Sequence, residues 1–131
     1  MNPAKLLKEA GISYEKDDTG SLNITVSIND DERSQLVVID RNVDEFNGVK
    51  ILEIWSKAAD MDEVSEKYYI KLLKRNSTTV IGSWQVADDS LIFCAKVPLE
   101  SLTSEDLDAI IDAVAIEADN VEKRFSDEDF F

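Results

Sequence analysis

The chain contains no histidine. That removes the side chain most often used as a general base at neutral pH and the commonest metal-ligating group. Ser–His and Cys–His nucleophile systems are excluded with it. Cysteine is almost absent. Cys94 stands alone, so no disulfide can form within the chain, and one thiol without imidazoles cannot build a structural zinc site. Glycine is scarce as well. Gly11, Gly20, Gly48 and Gly82 are the full set, and no two of them fit the spacing of a Walker loop or a dinucleotide fingerprint. Long apolar runs are missing. Nothing approaches the roughly 20 residues of a membrane-spanning helix, and no apolar run after Met1-Asn2-Pro3 reads as a signal peptide.

Cations are the remaining shortage. Lysine and arginine number 14 against 28 aspartates and glutamates, a formal net charge of −14. Nucleic-acid binders need cations to displace the counterions on phosphate, and an anionic membrane leaflet repels acidic surfaces. No nucleic acid and no membrane is expected as a partner. The nearest thing to a basic patch is Lys67, Lys71, Lys74 and Arg75, whose helical spacing sets most of it toward solvent. A solitary cysteine and no secretory signal point to a reducing, cytoplasmic setting.

What is present makes a globular domain. At 131 residues with 44% hydrophobic side chains, the chain suits one domain with a real core. We read residues 1–125 as that domain and 126–131 as an acidic, aromatic tail. A first helix has Asn2 as cap, Pro3 at its first position and Gly11 at its end. Ile12 to Asp17 reads as a strand leading into a turn at Asp18-Thr19-Gly20. Ser21 to Ile28 alternates cleanly, with Leu22, Ile24, Val26 and Ile28 on one face, as a half-buried antiparallel strand does. Ser34 to Asp40 and Val49 to Trp55 are strands apolar on both faces, joined by a polar connection over Arg41 to Asn47. Asp60-Met61-Asp62-Glu63 reads as a capping box opening a second helix that ends near Asn76-Ser77. Thr78 to Val86 and Ser90 to Val97 form a hairpin around Ala87-Asp88-Asp89, closed by Pro98.

The last helix carries the strongest pattern. Thr103-Ser104-Glu105-Asp106 caps it, and Leu107, Ile110, Ile111, Val114, Ala118 and Val121 trace one face. Burying those six contributes on the order of 10 kcal/mol before entropy is subtracted. The element order is α-β-β-β-β-α-β-β-α. That is an α+β domain, an antiparallel sheet with its helices mainly on one face.

Clustered acids could carry metal or acid–base chemistry without histidine. Asp17-Asp18, Asp30-Asp31-Glu32, Asp60/Asp62/Glu63 and Asp88-Asp89 each fall at a turn or helix start, where aspartate has structural work. None has the alternating ligands and closing glutamate of a calcium loop. No catalytic, cofactor-binding or metal-ligating residue is assigned, and no cofactor is expected. Cys94, mid-strand between Phe93 and Ala95, reads as a packed residue. Trp55 and Trp84 fit strand faces near the core, with binding hot spots as the other option.

The two-faced strands are the functional signal. If three helices cover one sheet face, some apolar side chains lie on the other, and an exposed apolar patch usually marks an interface. Val37, Ile39, Ile81, Ile92 and Cys94 are the candidate interface. A homodimer or a bound protein segment would cover it. Pairing along a free strand edge is a second binding mode, and the tail a third.

Leu6-Leu7-Lys8-Glu9-Ala10-Gly11 stands before a first strand, and Leu72-Leu73-Lys74-Arg75-Asn76 leads to Gly82-Ser83-Trp84. A hairpin turning at Ala87-Asp88-Asp89 follows, then Leu102-Thr103-Ser104-Glu105-Asp106-Leu107 and a long helix with Ala118-Asp119. Together these stretches resemble the YbjN-like family, whose members share the type III secretion chaperone-like fold, and the resemblance reaches about Lys123. It implies the element order above and a bacterial cytoplasmic protein, often dimeric, and it implies no enzyme. Secretion chaperones of this fold bind extended segments of effector proteins. No functional residues carry over. The expectation is a non-enzymatic protein-binding module, chaperone-like or regulatory, taking a protein client or a second copy. The alternatives are a small-molecule sensor with a pocket between sheet and last helix, and a carboxylate-dependent enzyme.

Overall fold

A computed structural model describes residues 2–29 and 32–126. Helix α1 spans Pro3–Ala10. The Asn2 side chain accepts from the Lys5 amide at 2.8 Å, and Gly11 ends the helix in a left-handed conformation, its N–H on the Leu7 and Lys8 carbonyls. Leu6 and Leu7 bury its apolar stripe. The strand expected over Ile12 to Asp17 makes a ladder only at Glu15–Lys16, β1. The Asp17 carboxylate then organises the turn, accepting from the Thr19 hydroxyl at 2.6 Å and the Thr19 and Ser21 amides. The Thr19 bond above all holds that carboxyl below its ordinary range.

β2, Leu22–Ile28, pairs along its whole length with β3, Arg33–Ile39. The connection expected over Arg41 to Asn47 contains a short strand of its own. β4, Asp44–Phe46, folds back on the start of β5, Val49–Asp60. Asn47 and Gly48 make the turn with φ of 51° and 81°. Two positive-φ residues in a two-residue hairpin loop are what an Asn-Gly pair favours. β5 also runs five residues beyond Trp55, through a register shift between Lys57 and Ala59. The Gln35 amide straps this irregularity, donating to Ser56 Oγ and the Lys57 carbonyl, each at 2.9 Å.

The second helix is broken where a continuous one was expected. Glu63 does reach back to the Asp60 amide at 3.0 Å, but the turn it closes, Met61–Glu63, is an isolated 3₁₀ turn. Val64 and Ser65 are extended. A second 3₁₀ turn, Glu66–Tyr68, leads into α2, Tyr69–Asn76. Val64 is buried in the core, and anchoring it there interrupts the helix. β6, Ser83–Ala87, and β7, Ser90–Pro98, form the second hairpin. β6 starts later than Thr78 because Gly82, with φ of 83°, turns the chain onto β7. A Cβ at Gly82 would lie 2.8 Å from the Cys94 carbonyl oxygen. Helix α3 spans Ser104–Ser126, with the Thr103 hydroxyl accepting from the Asp106 amide.

The sheet is antiparallel in the order β1-β2-β3-β5-β7-β6, with β4 on β5. α3 lies across it, contacting β5, β3, β7 and β2, with α1 packed beside α3. Leu107, Ile110, Ile111, Val114, Ala118 and Val121 are all buried, against Val37, Ile39, Leu52, Ile54 and Phe93 of the sheet. The domain is α+β with its helices on one face.

Candidate functional site

The register decides which side chains leave the core. Alternation puts Leu36 and Val38 of β3, Trp55 and Lys57 of β5, and Ile92 and Cys94 of β7 on the sheet face away from α3. One row crosses that face: Asn23, Val38, Trp55, Cys94 and Ser83 are successive cross-strand neighbours. Val38, Ile92 and Cys94 are buried, Trp55 is partly buried, and Leu36 is 51% exposed. Lys96 and Glu53, paired at 3.4 Å, lie to one side.

The five residues expected to form an interface therefore do not share a face. Ile92 and Cys94 lie on the open face. Val37 and Ile39 point the other way, into the core beneath α3. Ile81 precedes β6 and packs, partly buried, against the same core. Their places on the open face belong to Leu36, Val38 and Trp55, which the sequence reading did not select. Trp84 is the core tryptophan, with its ring 5.2 Å from Phe93. Burial, followed by the charge of Glu53, pushes the Cys94 thiol up to about 11. A thiol that keeps its proton at neutral pH is a poor nucleophile.

The two long edges of the sheet are finished differently. On β6, Asn76 acts as a strand would. Its Oδ1 accepts from the Trp84 amide at 2.6 Å and its Nδ2 donates to the Trp84 carbonyl at 3.3 Å. On β2, only Leu22 and Asn23 have β1 partners. The Asp17 amide donates to the Ser21 carbonyl at 3.0 Å, so odd-numbered residues of β2 turn their backbone groups outward. At Thr25 and Ser27 those groups have no strand partner among the described residues. A groove of about 380 Å³ adjoins this edge, lined by Val26, Ile28 and Asn29 of the strand side and Asp112, Ile116, Asp119 and Lys123 of α3. Ile116 is 52% exposed. Burial, then the charge of Asp108, raises the Asp112 carboxyl above its ordinary range. Asp119 is tied to Arg33 at 2.8 Å.

A larger cavity, about 440 Å³, opens between β5 and the end of α3. It is lined by Lys57, Ala58, Ala59, Asp60, Glu63, Glu122 and Phe125. Glu122 is raised by burial, with Asp119 and Glu63 adding and Arg33 opposing. Asp60, Asp62 and Glu63 bring carboxylate oxygens within 4.8 Å of one another. All three are exposed, Asp60 is ion-paired with Lys57, and Glu63 caps the 3₁₀ turn. Asp17-Asp18 and Asp88-Asp89 sit at turns. Asp30-Asp31 and residues 127–131 lie outside the described residues.

The expected basic patch divides. Arg75 turns inward, bidentate on Glu117 at 2.5 and 2.8 Å. Glu117 also accepts from the Trp84 indole at 2.8 Å. Lys67, Lys71 and Lys74 stay exposed around α2.

No family model matches the chain, and no curated protein matches its sequence. Solved structures do. The Yersinia pestis type III secretion chaperone SycH, in complex with a stable fragment of YscM2, aligns with a TM-score of 0.56 at 14% identity, over 89% of this chain and 93% of that one. YbjN from E. coli, described as a putative transcription regulator, aligns at 0.46 and 13% identity, over 93% and 84%. None of the described helices is long and apolar enough to cross a membrane. The chain has the α+β fold of the type III secretion chaperones.

Proposed function

We propose that this protein is a non-enzymatic protein-binding module, chaperone-like or regulatory, that receives an extended segment of a client along the outer edge of β2. The observation that carries this reading is the backbone of Thr25 and Ser27, without a strand partner among the described residues, beside the groove lined by Val26, Ile28, Ile116 and the charged Asp112, Asp119 and Lys123. An added strand would satisfy those backbone groups and send alternate side chains into the groove, which is how strand addition combines affinity with selectivity. The uncompensated Asp112 favours a lysine or arginine near one end of the client segment. Lys123 stands about 16 Å further along α3, three helical turns away, and favours an acid there.

The open sheet face is the second contact. Leu36 and the partly buried Trp55 are its accessible apolar side chains, beside the buried Val38, Ile92 and Cys94, and either client or a second copy of the chain would cover them. SycH was solved with a protein fragment bound, and the shared fold makes the same kind of partner reasonable here. The cytoplasm is the setting proposed.

The test is capture of clients from native lysate by the tagged protein, compared with its Thr25→Pro variant. Proline removes the outward amide and sets a ring against any incoming strand. The expected result is one or two proteins that survive moderate salt with the parent and are lost with the variant. Identical capture by both would overturn the edge-pairing reading.

A further inference from the structure

The cavity between β5 and the end of α3 shares no lining residue with the groove beside β2, and it has a charge balance of its own. Lys57, Asp60, Glu63 and Glu122 line it, with Ala58, Ala59 and Phe125 as its apolar part. Lys57 pairs with Asp60. Arg33, which acts on Glu122 from β3, is already held by Asp119 at 2.8 Å. Glu63 and Glu122 therefore remain without a cation of their own. Burial first, then the charges of Asp119 and Glu63, raise the Glu122 carboxyl. One Glu63 oxygen takes the Asp60 amide, and among the described residues nothing donates to the other.

Gln35 is an independent sign. Its side chain belongs to a residue only 5% exposed, yet its Oε1 accepts no hydrogen bond among the described residues. A buried acceptor left without a donor is destabilising, and native folds rarely keep one. Gln35 shares the helix side of β3 with Val37 and Ile39. Its Nε2 turns to β5, donating to Ser56 Oγ and the Lys57 carbonyl. The oxygen and nitrogen of a carboxamide point apart, so Oε1 turns from β5 toward the end of α3, where the Glu122 carboxyl lies within the amide's influence. An orphaned acceptor and two uncompensated carboxylates thus converge on one cavity.

Three acceptors match the three N–H donors of an ammonium group. Ala58, Ala59 and the Phe125 ring suit the methylene stem that carries such a group. A volume of about 440 Å³ is in the range that holds small organic ligands. A metal ion fits less well, because calcium takes roughly six to eight oxygens and Lys57 stands in the wall.

We infer that this cavity binds a primary aliphatic ammonium group, held by Glu122, Glu63 and Gln35 Oε1, with its stem against Ala58, Ala59 and Phe125. A free diamine and the lysine side chain of a protein segment both present that group. The site is independent of strand pairing at β2, and either can fail without the other.

The test is titration of the full chain with cadaverine, followed by NMR, in about 0.15 M salt to screen diffuse attraction to the acidic surface. The Gln35 side-chain amide and the Ala58 and Ala59 backbone amides should shift together, with a Kd of about 1 mM or tighter. Glu122→Gln should weaken binding about tenfold or more. Glu63→Gln should do the same, while its amide oxygen still accepts from the Asp60 N–H. Pentanediol, the uncharged counterpart of the diamine, should leave these amides unmoved. Nα-acetyl-lysine methylamide separates the two sources. Equal affinity assigns the site to a lysine side chain, and much weaker binding than cadaverine assigns it to a free diamine. The absence of a localised shift up to about 10 mM cadaverine would overturn the inference. So would shifts that both substitutions leave unchanged, or that calcium or magnesium chloride reproduces.

Discussion

The two edges of this sheet make a controlled comparison. β6 is an outer strand of the antiparallel sheet, β2 becomes one beyond its two-residue pairing with β1, and each has alternate backbone groups facing away from its neighbour. At β6 the Asn76 carboxamide supplies one acceptor and one donor to Trp84, so the edge is capped at that residue by a side chain from α2. At β2 the pairing stops after Asn23, and a groove against α3 takes the place of a seal. Free edges invite pairing with other chains, and proteins usually block them. A fold that caps one edge at Trp84 and leaves the other beside a groove of mixed apolar and charged lining separates protection from the recognition proposed at β2.

The comparison can be broken most severely from the sealed side. Gly82→Ala should cost about 3 kcal/mol or more, because φ of 83° is unfavourable for alanine and the new Cβ would meet the Cys94 carbonyl and the Phe93 ring. Urea denaturation measures this, and the loss should fall on the β6–β7 hairpin. Asn76→Ala should cost about 2 kcal/mol, two hydrogen bonds at roughly 1 kcal/mol each. It should also convert β6 into a second open edge, with self-association rising in light scattering. If stability and association both stay unchanged, the seal is incidental.

The open side should behave in the opposite way. Thr25→Pro removes no ladder bond, so its cost should stay near 1 kcal/mol or below, while client capture is lost. Stability and binding thus separate at β2 and travel together at β6. The smallest effect lies in the other cavity, between β5 and the end of α3. Glu122 has a raised carboxyl in the fold, so the native state binds more protons than the unfolded one and stability falls as pH climbs through and above the ordinary value of 4.5. Glu122→Gln should therefore stabilise by a few tenths of a kcal/mol at neutral pH, with the gain vanishing below about pH 4. Thermal denaturation at the two pH values reads it.

Much of this architecture is legible in the sequence where one period dominates. The clean alternation of Leu22 to Ile28 and the 3.6-residue stripe from Leu107 to Val121 name both an element and its buried side. Asn2, Pro3 and Gly11 mark α1 at both ends. The β4 hairpin was legible too, since Asn47-Gly48 is a strong turn signal, but the polar residues around it suggested a plain connection. Leu36-Val37-Val38-Ile39 shows the limit. When both faces of a strand are apolar, period two cannot say which one meets the helix, and the pattern alone offers Val37 and Ile39 for the open face that Leu36 and Val38 occupy. The break before α2 was hidden because Val64 fits a helical stripe and a buried extended anchor equally well. The edge at β2 was not legible at all. It depends on β1 stopping after two residues, which only the folded register reveals.

The most direct measurement is amide hydrogen exchange at Thr25 and Ser27, with and without an extended peptide of alternating apolar residues ending in lysine. If the β2 edge receives clients, both amides exchange freely in the isolated protein and are protected on peptide addition, with Trp84 unchanged. Peptide that binds while Thr25 and Ser27 go on exchanging as before would contradict the account.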